Sequence, residues 1–278
     1  MIYVVNFADE KYRKAQHLNT WSAYKFGKVD KVLEYSPSDI DYTFYTDHKR
    51  ILSFDRGCGL WLWKPYFILK ALKQIDEGDY LFYCDSASIF IRDIRNILTV
   101  MKGDIWVSEI PLLEKQFTKE STFVAMQCEN DIYRNSYQIQ ATFFCVRKSR
   151  RSMEFVSKWL EYACDFELIS PSNCNETKNC REFISHREDQ SILSLLSKKE
   201  GILPHLDPSQ FGRVPELYFS DKSFIKPMGF KNVTEYKVCF ILHRQYVFRI
   251  KSILLYTIQT FFSRSFIIAL FRMFRKIV

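Results

Sequence analysis

Asp79-Tyr80-Leu81-Phe82-Tyr83-Cys84-Asp85-Ser86-Ala87-Ser88 is a run of aromatic and apolar residues that stops abruptly at a carboxylate and two hydroxyls. The apolar part has the length of a buried strand, and the polar residues after it mark where that strand meets a loop. In wound α/β sheets ligands bind outside the carboxyl ends of the strands, so an acidic, hydroxylated turn there can hold a metal, a phosphate or a sugar. Asp and Ser in such a turn also bond the local backbone when no ligand is involved. The stretch alone leaves both readings open.

Working outward, Ile2 to Phe7 reads as a first buried strand, Asp9 to Tyr24 as a helix and Lys31 to Tyr35 as a second short strand, with a turn at Pro37-Ser38-Asp39. Trp63 to Gln74 places Phe67, Ile68, Ala71 and Leu72, followed by Ile75, at helical spacing, and Pro65 is tolerated in a first turn. This helix delivers the chain to the Asp85 strand. Asp104 to Ser108 and Ala141 to Val146 are further strand candidates, Met153 to Ala163 and Asp189 to Ser197 further helices, and Ser170 to Cys180 a surface loop. The alternation predicts an α/β fold, a mixed central sheet flanked by helices.

With 278 residues and 47% hydrophobic content the chain can bury a sizeable core, which argues against disorder. Its eight cysteines include no Cys-x-x-Cys pair and no Cys/His cluster at zinc spacing, the pattern of reduced, buried thiols in a cytosol. Met1-Ile2-Tyr3-Val4-Val5 lacks the basic segment and long apolar core of a signal peptide, so export is not expected.

The net charge of +8 resides in the last segment. From Tyr236 to Val278 there is no Asp or Glu, while Lys237, Arg244, Arg249, Lys251, Arg264, Arg272, Arg275 and Lys276 supply eight positive charges. The remainder is formally neutral, which argues against a nucleic-acid-binding body. Ser252 to Phe271 is also rich in Ile, Leu and Phe, but Arg264 lies near its middle, and a charge at mid-bilayer costs about 3 kcal/mol. From Ser265 onward, Ser265, Arg272 and Lys276 share one helical face while Phe266, Leu270, Met273, Phe274 and Ile277 gather opposite. The pattern predicts two parts: a folded α/β domain over 1–244 and a basic amphipathic helical tail over 245–278 that docks on an anionic membrane surface. A packing or dimerisation helix is the competing reading of the tail.

Three other segments carry chemistry-bearing residues. Arg56-Gly57-Cys58-Gly59-Leu60-Trp61-Leu62-Trp63-Lys64-Pro65-Tyr66 combines glycines that admit close backbone approach, flat faces for a sugar or base, and cations in Arg56 and Lys64 that can meet phosphate. His186-Arg187-Glu188-Asp189-Gln190-Ser191 opens an apolar helix, where acidic residues are also ordinary helix electrostatics. Tyr137-Gln138-Ile139-Gln140-Ala141-Thr142 reads as a polar entry to a strand.

Taken in order, the Gly57 to Pro65 run, Tyr83-Cys84-Asp85-Ser86-Ala87-Ser88, Gln140-Ala141-Thr142 and His186 to Ser191 resemble segments of bacterial glycosyltransferases of the GT-A fold that build capsule, O-antigen or other surface polysaccharides. The resemblance spans roughly residues 1–245. It implies a hexosyltransferase moving a sugar from a nucleotide-sugar donor, a UDP-hexose such as galactose in pyranose or furanose form, to a lipid-linked saccharide acceptor. In such enzymes an Asp-x-Asp motif at the strand end holds the donor diphosphate through a divalent cation. Here Asp85 is its carboxylate and Ser88 stands where the second is expected, which leaves Mn2+ or Mg2+ conditional, with His243 as the further ligand candidate.

The resemblance further implies that Asn6, Phe7 and Ala8 lie near the base and ribose, and that Asp85 with Ser86 and Ser88 faces the diphosphate. Trp63 joins this donor-binding set, and Lys64 or Arg56 offsets charge on the departing nucleoside diphosphate. Asp189 matches the base of inverting members, with Glu188 competing, while Gln140, His186 and Gln190 shape the acceptor side. In a retaining enzyme Asp189 would instead orient the acceptor, with Gln140 near the reactive face of the sugar. The implied location is cytoplasmic, peripheral on the inner face of the bacterial plasma membrane. A nucleotidyltransferase would want a second acidic metal ligand and a phosphate-cradling glycine loop, neither of which is evident. A non-enzymatic membrane-associated scaffold is the remaining alternative.

Overall fold

β1 (Ile2–Phe7), β2 (Lys31–Tyr35) and β3 (Tyr80–Cys84) are the anticipated apolar runs, and they lie side by side in parallel in the order β2-β1-β3. The computed structural model describes residues 1–171, 178–219, 224, 225, 230, 236–244, 256, 258, 260–262 and 266. The chain continues with β4 (Ser88–Phe90), β5 (Ile105–Leu113), β6 (Tyr137–Arg147), β7 (His205–Leu206) and β8 (Phe240–Leu242). Six of these form one sheet in the order β2-β1-β3-β6-β5-β7, in which β6 alone runs antiparallel to its neighbours. β4 and β8 make a separate antiparallel pair.

The sheet has two faces, and strand alternation sorts residues between them. Val5, Phe7, Leu81 and Tyr83 point toward α2 (Trp63–Leu72), α3 (Arg150–Cys164) and α4 (Glu188–Lys199), where Phe67, Leu72, Trp159 and Leu196 complete the larger core. Ile2, Val4, Phe82 and Cys84 point the other way, onto Phe90, Phe240, Ala23 and Val29. That second face is covered by α1 (Arg13–Ser22), which runs on into a π-turn at Ala23–Gly27, and by the β4–β8 pair.

A mixed sheet flanked by helices is thus observed as expected. Two strand predictions fall short. β5 extends to Leu113, and Tyr137 to Thr142 belongs to β6 itself, because Gln138 and Gln140 find buried partners and do not need solvent. Pro37–Asp39 is a 3-10 turn closed by a capping box between Ser36 and Asp39. Of the expected loop at 170–180, residues 172–177 lie outside the described residues, as does most of the segment 245–278 for which the sequence predicts an amphipathic helix. Among the described residues no helix is long and apolar enough to cross a membrane.

Candidate functional site

A cavity of about 340 Å³ opens at the carboxyl ends of β1 and β3. Phe7, Ala8 and Asp9 leave β1 into it, and Tyr83, Asp85, Ser86 and Ala87 leave β3. Lys11 and Tyr12 line it from just before α1. Asp55, Gly57, Cys58, Trp61 and Trp63 form another wall, and Thr142, Leu242 and Arg244 close it from β6 and the end of β8. Crossing β1 and β3 at their carboxyl edge is what the wound topology dictates for a ligand site.

Asp85 sits where parity places it. It follows Leu81 and Tyr83 on the helical face, so its side chain turns toward α2 and α4. The Tyr83 hydroxyl donates to Asp85 Oδ1 at 2.6 Å, and Lys64 Nζ lies 3.4 Å from the same oxygen. Burial, reinforced by Asp85, raises the Tyr83 phenol far above its ordinary value and keeps it a donor. Asp85 N donates to Thr142 O, and the Ser86 hydroxyl donates to Phe7 O, which staples the ends of β3, β6 and β1 together. Asp85 remains 33% exposed, so part of its carboxylate faces the cavity.

Lys64 is the other central element, 3% exposed at the start of α2. Its ammonium lies 3.2 Å from Asp189 Oδ2 and donates to Ala141 O at 3.1 Å. Burial alone would lower its pKa, but Asp189 and Asp85 together outweigh burial and hold the ammonium above its ordinary value. Asp189, whose side chain is 5% exposed at the start of α4, is pushed up to about 7 chiefly by burial, against the opposing pull of Lys64. The Trp159 indole donates to Asp189 O and fixes the start of α4 against α3.

An irregularity in β6 makes room for this arrangement. Its pairing with β5 jumps between Val107 and Ser108, leaving residues 141–143 of β6 without a paired partner there. Strand bulges re-aim backbone groups in this way. At the bulge Ala141 O meets Lys64, Thr142 O meets Asp85 N, and Ala141 N donates to Gln190 Oε1.

The wall at 57–61 is strained. Gly57, Cys58, Gly59, Leu60 and Trp61 all have φ between 51° and 95°, the left-handed region. For the three non-glycine residues that costs roughly 1–2 kcal/mol each. Glycine is required at 57, because a Cβ there would stand 2.4 Å from the Trp61 ring. The turn presents Trp61 to the cavity, and the Trp63 indole locks it by donating to Gly57 O. Trp63 also stacks on Phe7 with ring centroids 3.8 Å apart.

Of the residues singled out from sequence, Phe7, Ala8, Trp63, Asp85 and Ser86 line the cavity. Lys64 and Asp189 stand directly behind Asp85. The others face elsewhere. Asn6 has the opposite parity to Phe7 and is buried against α1, its amide donating to Asn19 and Thr20 and accepting from Gln16. Ser88 is buried on that same side, donating to Asp85 O and accepting from Asn19. The place two residues after Asp85, the spacing of Asp-x-Asp, belongs to Ala87, which lines the cavity and brings no carboxylate. Gln140 turns onto Ser108, while the Gln190 amide bonds Gln138 and Ala141.

His186 is a tie between loops, accepting from Lys119 N and facing Leu168 O at 2.9 Å. Burial lowers its pKa to about 3, so the ring is neutral. Arg56 pairs with Glu188 at 2.6 Å, and Glu188 itself has φ 41°. Burial likewise lowers His243 to about 4, and His243 does not line the cavity.

A divalent cation fits this donor set poorly. Among the described residues no group of three His, Cys, Asp or Glu is arranged to hold a metal. One Asp85 oxygen already receives the Tyr83 hydroxyl, and a fixed ammonium stands 3.4 Å away. A cation at Asp85 would take most of its ligands from elsewhere than this cluster.

Sequence reasoning passed over Asp9, Lys11, Tyr12, Asp55, Leu242 and Arg244 as cavity residues. Lys11 and Tyr12 follow β1 at the same edge at which Asp85 follows β3, so the rule that found Asp85 would have found them. Arg244 comes from the end of β8, a strand of three residues. Arg244 lines the cavity, and its guanidinium lies 4.4 Å over Phe211 and 5.7 Å from Tyr218.

The fold and site define an α/β protein with an aromatic-walled ligand cavity at the carboxyl edge of its sheet. No protein-family model and no curated protein sequence matches the chain. Among solved structures it is similar to the galactosyltransferase LgtC in complex with donor and acceptor sugar analogs, at 17% identity and TM-score 0.47 over 87% of each chain. It is also similar to mouse xyloside xylosyltransferase 1, at 10% identity and TM-score 0.48 over 88% of this chain and 98% of the other. A third is the glycosyltransferase GlyE of Streptococcus pneumoniae TIGR4, at 15% identity and TM-score 0.45, covering 95% of this chain and 61% of that one.

Proposed function

We propose that the chain is a glycosyltransferase that takes a sugar from a nucleotide-sugar donor and delivers it to a saccharide acceptor. One observation carries the reading: the cavity combines flat aromatic walls, the cations Lys11 and Arg244, and a carboxylate whose position is set by Lys64 and Tyr83. Rings on one side of a ligand and phosphates on another need this mixture, and a sugar needs directional acceptors beside them.

In this proposal Phe7, Trp61 and Trp63 supply faces for the base and sugar. Lys11 and Arg244 take the diphosphate and balance the charge that grows on it as the sugar leaves. Asp85 accepts from sugar hydroxyls and is kept in register by Lys64. Asp189 is the base that receives the acceptor proton, because its raised pKa, about 7, lets it exchange a proton near neutral pH. The acceptor would enter along the seam between Asp85 and α4, beside Thr142. Glu188 is committed to Arg56, which opposes the upward shift that burial gives its carboxyl.

The donor is proposed to be a UDP-hexose, galactose in either ring form being the first to try. The acceptor is proposed to be a lipid-linked saccharide in surface polysaccharide assembly, with the basic segment 245–278 holding the enzyme at the inner face of a bacterial plasma membrane. A panel of nucleotide sugars screened by thermal shift, with and without Mn2+, tests donor and metal together. A rise in Tm with one nucleotide sugar in the absence of Mn2+ is expected, and no rise with any of them would overturn the reading.

A further inference from the structure

The end of α1 and the π-turn that follows it carry an exposed aromatic ridge that nothing in the cavity uses. Trp21, Tyr24 and Phe26 are 54%, 47% and 40% exposed, and Trp21 meets Phe26 edge-on with centroids 5.5 Å apart. Single exposed apolar side chains are common, but three large aromatics in six residues form a patch. Along the segment itself the charge is one-sided, and Glu34 of β2, which accepts from the Thr20 hydroxyl, is an acidic side chain beside it. Between Glu10 and Asp30 the sequence contains Lys11, Arg13, Lys14, Lys25 and Lys28 and no acidic residue, and all five cations are exposed.

The buried side of this segment is fully engaged, Gln16 and Asn19 with Asn6 and Ser88, and Ala23 in the core. The ridge is therefore a surplus surface on a rigid element. Its neighbour is the other basic, aromatic part of the chain: Leu18 packs with Tyr256, Ile89 and Ile241, and Phe261 lies under Arg92, itself close to β4.

We infer that this ridge is a second membrane contact, which lays α1 in the headgroup region of an anionic bilayer. Aromatic rings concentrate at the membrane–water interface, and clustered Lys and Arg beside them select anionic lipid. Residues 11–29 contain no Asp or Glu, as is true of 236–278, so the cations of the segment outnumber Glu34, the carboxylate bonded to Thr20. The inference builds on the membrane-bound, lipid-linked-acceptor reading and adds an orientation. Lys11 and Tyr12, just before the helix, line the cavity, so a bilayer along α1 brings the cavity mouth to the lipid surface. From Arg13 to Gly27 the contact would run for about 22 Å.

Sedimentation of the full chain with vesicles of phosphatidylcholine containing about one third phosphatidylglycerol tests this. Trp21→Ser/Phe26→Ser and Lys14→Glu/Lys25→Glu are each expected to weaken binding about tenfold or more. Unchanged binding by both pairs would overturn the inference. So would a shift from dimer to monomer in the aromatic pair with vesicle binding intact, which would make the ridge a self-association face. Quenching of tryptophan fluorescence by brominated phosphatidylcholine gives a readout independent of affinity. Trp21→Phe should still sediment but lose most of the quenching, whereas full quenching in that variant contradicts the contact. Arg272→Glu/Lys276→Glu separates this inference from the tail reading: loss of binding there, with the α1 pairs unaffected, keeps the tail and removes the ridge, and the reverse pattern keeps the ridge and removes the tail.

Discussion

The two faces of the central sheet treat polar residues in opposite ways. On the face toward α2 and α4, Lys64, Asp85 and Asp189 form a charged cluster in which the Lys64 ammonium lies 3.4 Å from Asp85 Oδ1 and 3.2 Å from Asp189 Oδ2. On the face toward α1, Asn6, Gln16, Asn19 and Ser88 are neutral and hydrogen-bonded to one another. The contrast teaches that parity along β1 and β3 decides which polar residues are poised for chemistry and which are framework. Residues adjacent in sequence, Asn6 and Phe7 or Ala87 and Ser88, end on opposite sides of that division.

The largest effects are expected where the charged cluster is broken. Asp189→Asn should lower kcat by roughly a hundredfold or more while the protein stays folded, since positioned acid–base groups contribute on that scale. Full turnover in this variant would remove Asp189 as the base and return the contrast to one of packing. Next is stability. Lys64→Ala leaves two carboxylates without their shared cation and should cost about 3–5 kcal/mol at pH 8 by urea unfolding. The cost should shrink at pH 5, where Asp189 is protonated.

Asp189 itself makes stability depend on pH. Its folded-state pKa, raised to about 7, exceeds the ordinary value of 3.8, so between about pH 4 and 7 the folded state holds a proton that the unfolded state has released. Stability from this group therefore falls as pH rises through that window. Unfolding of Asp189→Asn should show a flatter profile over the same range, and an identical slope in both proteins would contradict the assignment.

The framework face should behave differently. Asn6→Ala removes hydrogen bonds to buried Asn19 and Gln16 and half-buried Thr20 and should cost about 1–3 kcal/mol without changing KM for the donor. An altered donor KM with unchanged stability would break the division between the faces. The smallest effect is expected from metal: Mn2+ alone should leave Tm unchanged, because Asp85 stands beside a fixed ammonium.

Much of the scaffold was legible because it follows short periods. β1, β2 and β3 are apolar runs bounded by turn residues, and α2, α3 and α4 show helical spacing. β4 and β8 were not legible, since three residues carry no period. The bulge in β6 was invisible for a different reason: it depends on Lys64, Asp85 and Gln190 gripping the backbone from remote parts of the chain.

In the site, Asp85 and the Trp61–Lys64 segment stood out by residue type, but the pairing of Lys64 with Asp189 is purely tertiary. The glycines at 57 and 59 suggested an unusual loop. That Cys58, Leu60 and Trp61 share its left-handed conformation goes against their own preferences and is imposed by packing.

The central claim is that the helical-face edge binds and activates a nucleotide sugar. The most direct test is release of nucleoside diphosphate from a panel of nucleotide sugars, measured for the wild type, Asp85→Ala and Asn6→Ala side by side. Release from one donor is expected for the wild type and for Asn6→Ala, and none for Asp85→Ala. Equal release by wild type and Asp85→Ala would contradict it.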